Sequence, residues 1–179
     1  MTVRLGTLDL EPARDDLLAP PVAAMIAAIT DLSAQAHAVA IDPDLADTAA
    51  LTDRFGLDPE ASANCVIVLG KRGGELRPAA CVVLASTRAD VNGLVRRTID
   101  TRKCSFAPQD WAVAETGMEY GGITPVGVPE GWPILIDQAV TEQPWVLLGS
   151  GLRRSKLALP GALLADLPGA QVLAGLGLR

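Results

Sequence analysis

The chain has 179 residues, of which 49% are hydrophobic, 20% charged and only 3% aromatic, and its net charge is −6. This composition excludes a disordered chain and predicts one domain, residues 1–179, with an aliphatic core. The longest apolar stretch, residues 17–29, contains two prolines and falls short of the roughly 20 residues that span a bilayer, so no membrane span is expected.

The charges are unevenly distributed along the chain. Residues 1–60 hold 11 acidic and 3 basic residues, whereas residues 71–103 hold 3 acidic and 8 basic ones. A basic segment can bind nucleic acid even in an acidic chain, because phosphate contacts depend on the local surface. A solvated charged face without a partner explains the same distribution.

The first residues turn acidic where a signal peptide would need an apolar run, which predicts a cytoplasmic location. Cys65, Cys81 and Cys104 are widely spaced and form no CxxC pair, so neither a disulfide framework nor a zinc site is indicated. With His37 as the single histidine and no cofactor motif, we expect no metal and no cofactor.

The predicted elements begin with an irregular start and an amphipathic helix over residues 22–37, so residues 1–37 are expected to form an N-terminal helical extension. A short strand at 38–41 precedes a helix that Asp42 caps and Gly56 ends. The remaining predictions are a hairpin of strands 65–70 and 79–85, helices at 89–99 and 108–117, strands at 132–139, 144–151 and 155–160, a helix at 161–169 and a strand at 170–175. This order favours an α/β protein with a mixed sheet.

Two glycine motifs stand out. "GSGLRR" (149–154) follows a predicted strand, but Arg154 occupies the position of the third glycine of a dinucleotide-binding motif, so that site is disfavoured. In "YGGITPVG" (120–127), Pro125 stiffens the loop. The free N–H groups of Gly121 to Thr124 suit a carbonyl oxygen or an oxyanion, and a tight turn between helix and strand is the alternative.

Asp137 ends the apolar run "PILID". A buried carboxylate is costly unless it is paired or functional. Two interpretations stay open: an ion pair with Arg153, Arg154 or Lys156, or a place in the wall of a binding site.

Several motifs together resemble one family. The run "ETGMEYGGITPVG", followed by "WPILIDQAV", "WVLLGSGLRRSKLAL" and "LADLPGAQV", resembles the YbaK/EbsC/ProX family of aminoacyl-tRNA deacylases, relatives of the editing domain of bacterial prolyl-tRNA synthetases. The likeness covers residues 38–173. It implies a mixed, partly closed β-sheet surrounded by helices, and hydrolysis of the ester of a mischarged tRNA carrying a small amino acid.

The resemblance also implies site residues. The main chain of Gly121 and Gly122 is expected to polarise the ester carbonyl, and Asn64 or a terminal tRNA hydroxyl to place the attacking group. The expected substrate-binding residues are Ile123, Thr124, Pro125, Asp137, Gly149, Ser150 and Gly151, and the expected RNA contacts are Arg96, Arg97, Arg102, Lys103, Arg153 and Lys156. The expected partner is the acceptor end of a tRNA, with an aminoacyl-tRNA synthetase as a second candidate and the oligomeric state left open.

One position departs from the family pattern. Members usually carry a lysine at the start of the strand after the second helix, where this chain has Asn64, an uncharged donor. Two alternatives to the deacylase therefore stay open: a module that binds an aminoacyl-tRNA end, a small ligand or a synthetase without turnover, and a small-molecule ester hydrolase of the same fold. The geometric test is whether Asn64, Gly122 and Asp137 surround one pocket.

Overall fold

A computed structural model describes residues 1–179 of the protein. Most of its strands form two five-stranded sheets. The strands are β1 (Val3–Leu5), β2 (Leu8–Pro12), β3 (His37–Ala40), β4 (Ala63–Arg72), β5 (Glu75–Leu84), β6 (Arg88–Ala89), β7 (Lys103–Phe106), β8 (Ile134–Asp137), β9 (Val146–Gly149), β10 (Ser155–Leu159), β11 (Ala170–Leu173) and β12 (Gly177–Leu178). The α-helices are α1 (Pro20–Ala28), α2 (Thr30–Gln35), α3 (Thr48–Phe55), α4 (Arg96–Thr98), α5 (Gln109–Thr116) and α6 (Gln138–Thr141). A π-helical turn at Val91–Val95 leads into α4, and 3-10 turns lie at Asp15–Leu17, Pro43–Leu45, Pro59–Ala61 and Gly161–Asp166.

The first sheet is antiparallel, with the order β1-β2-β3-β10-β9. The second sheet has the order β11-β8-β5-β4-β7, in which β11, β8 and β5 run parallel and β4 and β7 run antiparallel to their neighbours. A bridge between Ser62 and Leu147 joins the two sheets where β4 begins. The predicted mixed, partly closed sheet surrounded by helices is therefore confirmed. None of the helices combines the length and apolar character needed to cross a bilayer.

The side chains of β10 alternate between the two faces of the sheet and so pack in two different hydrophobic clusters. Leu157 and Leu159 pack in the main cluster with α1, whereas Ala158 belongs to a smaller cluster beneath β1 and β2. Because successive side chains on a strand point to opposite faces, Lys156 shares the face of Ala158. The same alternation therefore carries a lysine toward the interior.

The second predicted helix is two separate elements. Asp42 caps only the 3-10 turn at Pro43–Leu45. Asp47 then caps α3, its carboxylate accepting hydrogen bonds from two main-chain amides at 3.0 and 3.3 Å. Gly56 ends α3 with φ of +59°, as predicted. The second cap signal interrupts the helix because it offers the chain a new start only five residues after the first.

The first 37 residues contribute strands as well as helices. Buried Leu8 and Leu10 alternate with exposed Asp9, a pattern that indicates a strand. The prediction of an irregular start missed this strand. Strand β2 pairs with β3, and the Leu10 side chain is fully buried. The N-terminal segment is thus part of the first sheet and its core. Strand β7 was also not predicted, since most of its side chains are exposed.

The buried position of Leu10 yields a stability prediction. We expect Leu10→Ala to lower the free energy of unfolding by about 2–5 kcal/mol, because it leaves a cavity in a packed cluster. Urea unfolding followed by tryptophan fluorescence measures the change. Leu178→Ala, at a side chain that is 41% exposed, is the control and should cost about 1 kcal/mol or less. Equal unfolding midpoints for Leu10→Ala and the wild type would contradict the placement of β2.

Candidate functional site

A cavity of about 640 Å³ opens between α3 and the start of β4. The loop after α5 and the ends of β9 and β10 complete its wall. Its polar side chains are Asp47, Thr48, Thr52, Asp53, Asn64, Tyr120 and Lys156. Gly121, Ile123 and Gly149 line it as well, so the structure brings five of the predicted site residues to one cavity.

Two glycine-bearing loops pack main chain against main chain behind this cavity. The Gly151 N–H donates a hydrogen bond to the Gly122 carbonyl at 2.7 Å. A Cβ atom on Gly122 would lie 2.6 Å from the carbonyl oxygen of Leu152, and one on Gly149 would lie 2.6 Å from that of Ile123. The loops can approach this closely only because these positions have no side chain.

Two residues of the loop that line the cavity have unpaired main-chain N–H groups. Gly121 and Ile123 both line it, and neither N–H has an acceptor within the protein. The N–H of Gly122 is different, since it donates to the Glu119 carbonyl at 3.0 Å. Free N–H groups were expected on all four residues from Gly121 to Thr124. Only Gly121 and Ile123 both line the cavity and have an unpaired N–H group.

Asn64 is held by a neighbour that the sequence did not suggest. Its Oδ1 accepts a hydrogen bond of 2.6 Å from the Thr48 hydroxyl, in the first turn of α3. With the oxygen engaged in this way, the amide nitrogen of Asn64 remains a donor. A threonine beside a helix cap carries no sequence signal for this contact, which depends on α3 lying against β4.

Lys156 is the buried cation of the site. Its side chain is 6% exposed, and its Nζ donates to the Ala46 carbonyl at 2.9 Å. No carboxylate lies within 4.0 Å of it. Burial lowers the pKa of Lys156, and the nearby Asp47 charge opposes that shift. The predicted RNA contact thus lies inside the cavity wall.

Arg153 braces the loop from the other side. Its guanidinium donates to the carbonyls of Tyr120 and Pro43, each at 3.1 Å, and lies 5.7 Å from the centre of the Tyr120 ring. A Cβ on Gly121 would lie 2.8 Å from Arg153 Nη1. Two of the guanidinium donors of Arg153 are therefore already bonded to the protein.

Several predicted substrate contacts lie away from the cavity surface. Ser150 is fully buried, and its Oγ lies 2.7 Å from the Ser155 Oγ. Gly151 packs behind the wall, and Thr124 is also fully buried. Pro125 lines a separate cavity. These residues shape the loops and do not face the site.

Asp137 has a structural partner in place of the predicted substrate. It is 5% exposed, and its Oδ1 accepts a hydrogen bond from the Leu176 N–H at 3.1 Å. It pairs with none of the three basic residues considered from the sequence and does not line the cavity. The geometric test therefore separates the three residues: Asn64 lines the cavity, Gly122 lies behind it, and Asp137 ties down the C-terminal segment.

The thiols and the histidine provide no activated nucleophile. Burial raises the pKa of Cys65, which lines the cavity, and raises that of Cys81 to about 12. His37 is occupied elsewhere, with its ring nitrogens 2.8 and 2.9 Å from the carbonyls of Gln35 and Met1. No group of three or more metal-ligating side chains is placed to hold a metal ion.

A second surface, the basic groove, measures about 740 Å³ and lies beside β7. The cations that line it are Lys71, Arg96, Arg102 and Lys103. Arg97, on α4, is exposed nearby in sequence, and none of these five cations has a carboxylate within 4.0 Å. Phe106, which is 63% exposed, also lines the groove. The groove thus combines unpaired positive charge with an accessible aromatic ring.

Comparisons with known proteins agree with this architecture. Residues 42–167 match the aminoacyl-tRNA editing domain family. A crystal structure described as a candidate trans-editing enzyme for prolyl-tRNA synthetase superposes with a TM-score of 0.71 at 20% identity, covering 88% of this chain and 97% of that one. The crystal structure of a hypothetical protein superposes with a TM-score of 0.74 at 21% identity, covering 88% and 99%. At these identities the structural matches show the shared fold.

The hydrogen bond of Asp137 yields a second stability prediction. We expect Asp137→Ala to lower the free energy of unfolding by about 1–3 kcal/mol, because the buried Leu176 N–H loses its acceptor. Urea unfolding measures the loss, and faster hydrogen exchange at the Leu176 amide locates it. Asp166→Ala, at an exposed carboxylate, is the control and should stay within about 0.5 kcal/mol of the wild type. Wild-type stability in Asp137→Ala would show that this contact is not structural.

Proposed function

Because the chain belongs to the aminoacyl-tRNA editing domain family, we propose that it hydrolyses the ester bond of a mischarged tRNA carrying a small amino acid. The family that the motifs indicated is confirmed by that match. The observation that carries the proposal is one cavity lined by Asn64, Gly121 and Ile123, where an amide side chain and two unpaired main-chain donors lie together. The small size of the amino acid follows from the resemblance of the motifs.

The donors suit the chemistry of ester hydrolysis. Water adds to the ester carbonyl carbon, the carbonyl oxygen gains negative charge, and the bond to the ribose oxygen then breaks as that oxygen takes up a proton. Main-chain N–H groups stabilise the charged oxygen most when they are already in place before the reaction. We assign this role to Gly121 and Ile123, whose positions are held by the main-chain packing behind the cavity.

Asn64 and the RNA itself place the attacking water. The Thr48 hydroxyl donates to the Asn64 side-chain oxygen and so orients the amide group. The amide nitrogen of Asn64 is then free to donate a hydrogen bond to the attacking water. A hydroxyl of the terminal ribose is the second group that can hold the water, because it is brought to the site by the substrate. Hydrolysis then needs no protein nucleophile, in keeping with the raised pKa of the Cys65 thiol.

The basic groove is proposed to hold the RNA at a distance from the cavity. Asn64 and Gly70 lie on the same strand, β4, six residues apart, which corresponds to roughly 20 Å. An acceptor end that enters the cavity can therefore place phosphates farther along the RNA against the groove. Exposed Phe106 offers a surface on which an unpaired base can stack.

A panel of mischarged tRNAs tests the proposed activity. We expect the protein to release at least one small amino acid well above the uncatalysed rate. Asn64→Ala should lower the rate constant of release about 10- to 100-fold, because the donor that helps place the water is lost. Gln35→Ala, which truncates an exposed amide on α2, is the matched control and should keep the wild-type rate.

The same panel separates the deacylase from its alternatives. Failure to release any amino acid would refute the enzyme. If aminoacyl-tRNA still bound tightly, that result would support a binding module, and hydrolysis of simple amino-acid esters without tRNA binding would support a small-molecule esterase.

The groove yields a prediction about salt. We expect the double variant Arg102→Gln/Lys103→Gln to bind uncharged tRNA more weakly at low salt, and to lower the slope of log affinity against log salt by about 2, because two phosphate contacts are lost. Filter binding between low and moderate salt measures both quantities. Arg4→Gln is the control, since Arg4 is exposed and paired with Asp9. An unchanged slope would mean that these charges serve only to protect the edge strand β7.

A further inference from the structure

We propose that the ammonium group of Lys156 contacts and stabilises the negative charge that forms on the ester oxygen in the cavity. This role rests on the proposed function and adds a catalytic residue to it. The expected role of Lys156 was a contact with RNA, and Lys156 is the only positively charged side chain that lines the cavity. Three features of Lys156 support this role: its position in the strand register, its burial and the lack of a carboxylate within 4.0 Å.

The register of β9 and β10 brings Lys156 to the loop. Lys156 lies directly opposite Gly149 in that ladder, and residues directly opposite each other project to the same face of a sheet. The carbonyls of Gly122 and Ile123 pack against this bare face of Gly149. Lys156 therefore emerges beside the segment that holds the two unpaired main-chain N–H groups.

The surroundings of Lys156 are unfavourable for a lysine with only a structural role. Burying an ammonium group is costly unless a counter-charge compensates. No carboxylate lies within 4.0 Å of Lys156, and the charge of Asp47 only partly opposes the lowering of its pKa by burial. Ala158, on the same face of β10, packs in an apolar cluster. Lys156 lies at the cavity wall and not in that cluster, so its charge faces the space that a ligand would enter.

The ammonium keeps donors available for a ligand. One of its three N–H groups is directed to the Ala46 carbonyl, and no other protein acceptor is bound. The single hydrogen bond fixes the end of a flexible side chain at the wall of the cavity. A charged donor that is largely shielded from solvent stabilises an oxyanion more strongly than an exposed one, since water screens it less.

Burial distinguishes this role from phosphate binding. Lys156 is 6% exposed, whereas Arg102 and Lys103 in the basic groove are exposed. A backbone phosphate carries a full charge and stays largely hydrated, so it suits the exposed cations of the groove. The ester of an aminoacyl group carries no charge before the reaction, so it loses less hydration than a phosphate when it enters the cavity that Lys156 lines.

Replacement by an uncharged side chain of similar length tests the inference. We expect Lys156→Met to lower kcat for the hydrolysed aminoacyl-tRNA about 100-fold or more. The Kd for uncharged tRNA should stay within about twofold of the wild type, because no phosphate contact is lost. The melting temperature should not fall, since the variant removes a buried charge. A structural lysine would give the reverse: a lower melting temperature and a nearly unchanged kcat.

A second variant covers the loss of the Ala46 hydrogen bond. Lys156→Gln retains a donor for that carbonyl without the charge, and we expect the same loss of kcat. Lys103→Met provides the contrasting pattern, a weaker affinity for tRNA that depends on salt. If both Lys156 variants kept the wild-type kcat while the wild type hydrolysed its substrate, Lys156 would have no part in the reaction.

Binding of two stable analogues tests the charge without turnover. One is a 3′-aminophosphonate ester of adenosine, whose phosphonate group is tetrahedral and anionic. The other is the corresponding 3′-aminoacylamide, whose amide linkage is planar and uncharged. We expect the wild type to bind the phosphonate at least 10-fold more tightly than the amide, and Lys156→Met to lose this preference while still binding the amide. Equal preference in both proteins would overturn the inference and leave the deacylase intact. No binding of either analogue together with no release from any tRNA would overturn both proposals.

Discussion

Main-chain contact between residues 119–123 and residues 149–152 is the constraint on which the cavity depends. The Gly151 N–H donates to the Gly122 carbonyl, the Glu119 N–H donates to the Gly151 carbonyl, and no side chain separates the two loops. Hydrogen bonds between main-chain groups have fixed directions, so the position of one loop determines that of the other. The ends of β9 and β10 carry the second loop and thereby place Gly121 and Ile123 at the cavity wall. The glycine pair of the first loop thus serves both a close approach and a binding surface.

The N-terminal segment supports this contact from behind. The Ala19 N–H donates to the Ser150 carbonyl at 3.0 Å, and the Ser155 hydroxyl donates to the Leu17 carbonyl at 2.7 Å. A Cβ on Gly151 would overlap the Ala19 side chain. The family match begins only at residue 42, yet the residues before it hold the loop that builds the site. In this chain the segment that precedes the matched domain is therefore part of the support of the cavity.

Positive charge is divided between two environments in an acidic protein. The exposed cations of the basic groove carry a field toward solvent, where salt screens it and where it can act on a distant polyanion. Lys156 is shielded from solvent, so its charge is screened less and acts on groups inside the cavity. The two sets of cations are suited to different tasks, attraction of an RNA chain and stabilisation of charge at a reacting atom. Net charge alone does not distinguish them.

Local patterns in the sequence determined much of the fold. The hairpin of β4 and β5, the glycine that ends α3, the glycine loops and the family all follow from residues that are close together in the chain. Alternation at Leu8 and Leu10 also carried a signal for β2, although it is short. Such features depend on backbone preferences and side-chain periodicity, which short segments retain.

Only the tertiary structure decided which groups are free to act. From the sequence, Asp137 was a candidate site residue, but in the structure it accepts a hydrogen bond from the Leu176 N–H. The Gly122 N–H was a candidate donor to the substrate, but it donates to the Glu119 carbonyl. Lys156 was expected to contact RNA, yet it is buried and its Nζ donates to the Ala46 carbonyl, 110 residues earlier in the chain. Hydrogen-bond partners and burial are set by contacts between distant segments, and no local pattern encodes them. The sequence therefore indicated the loop that forms the site, and packing selected the donors and the charge within it.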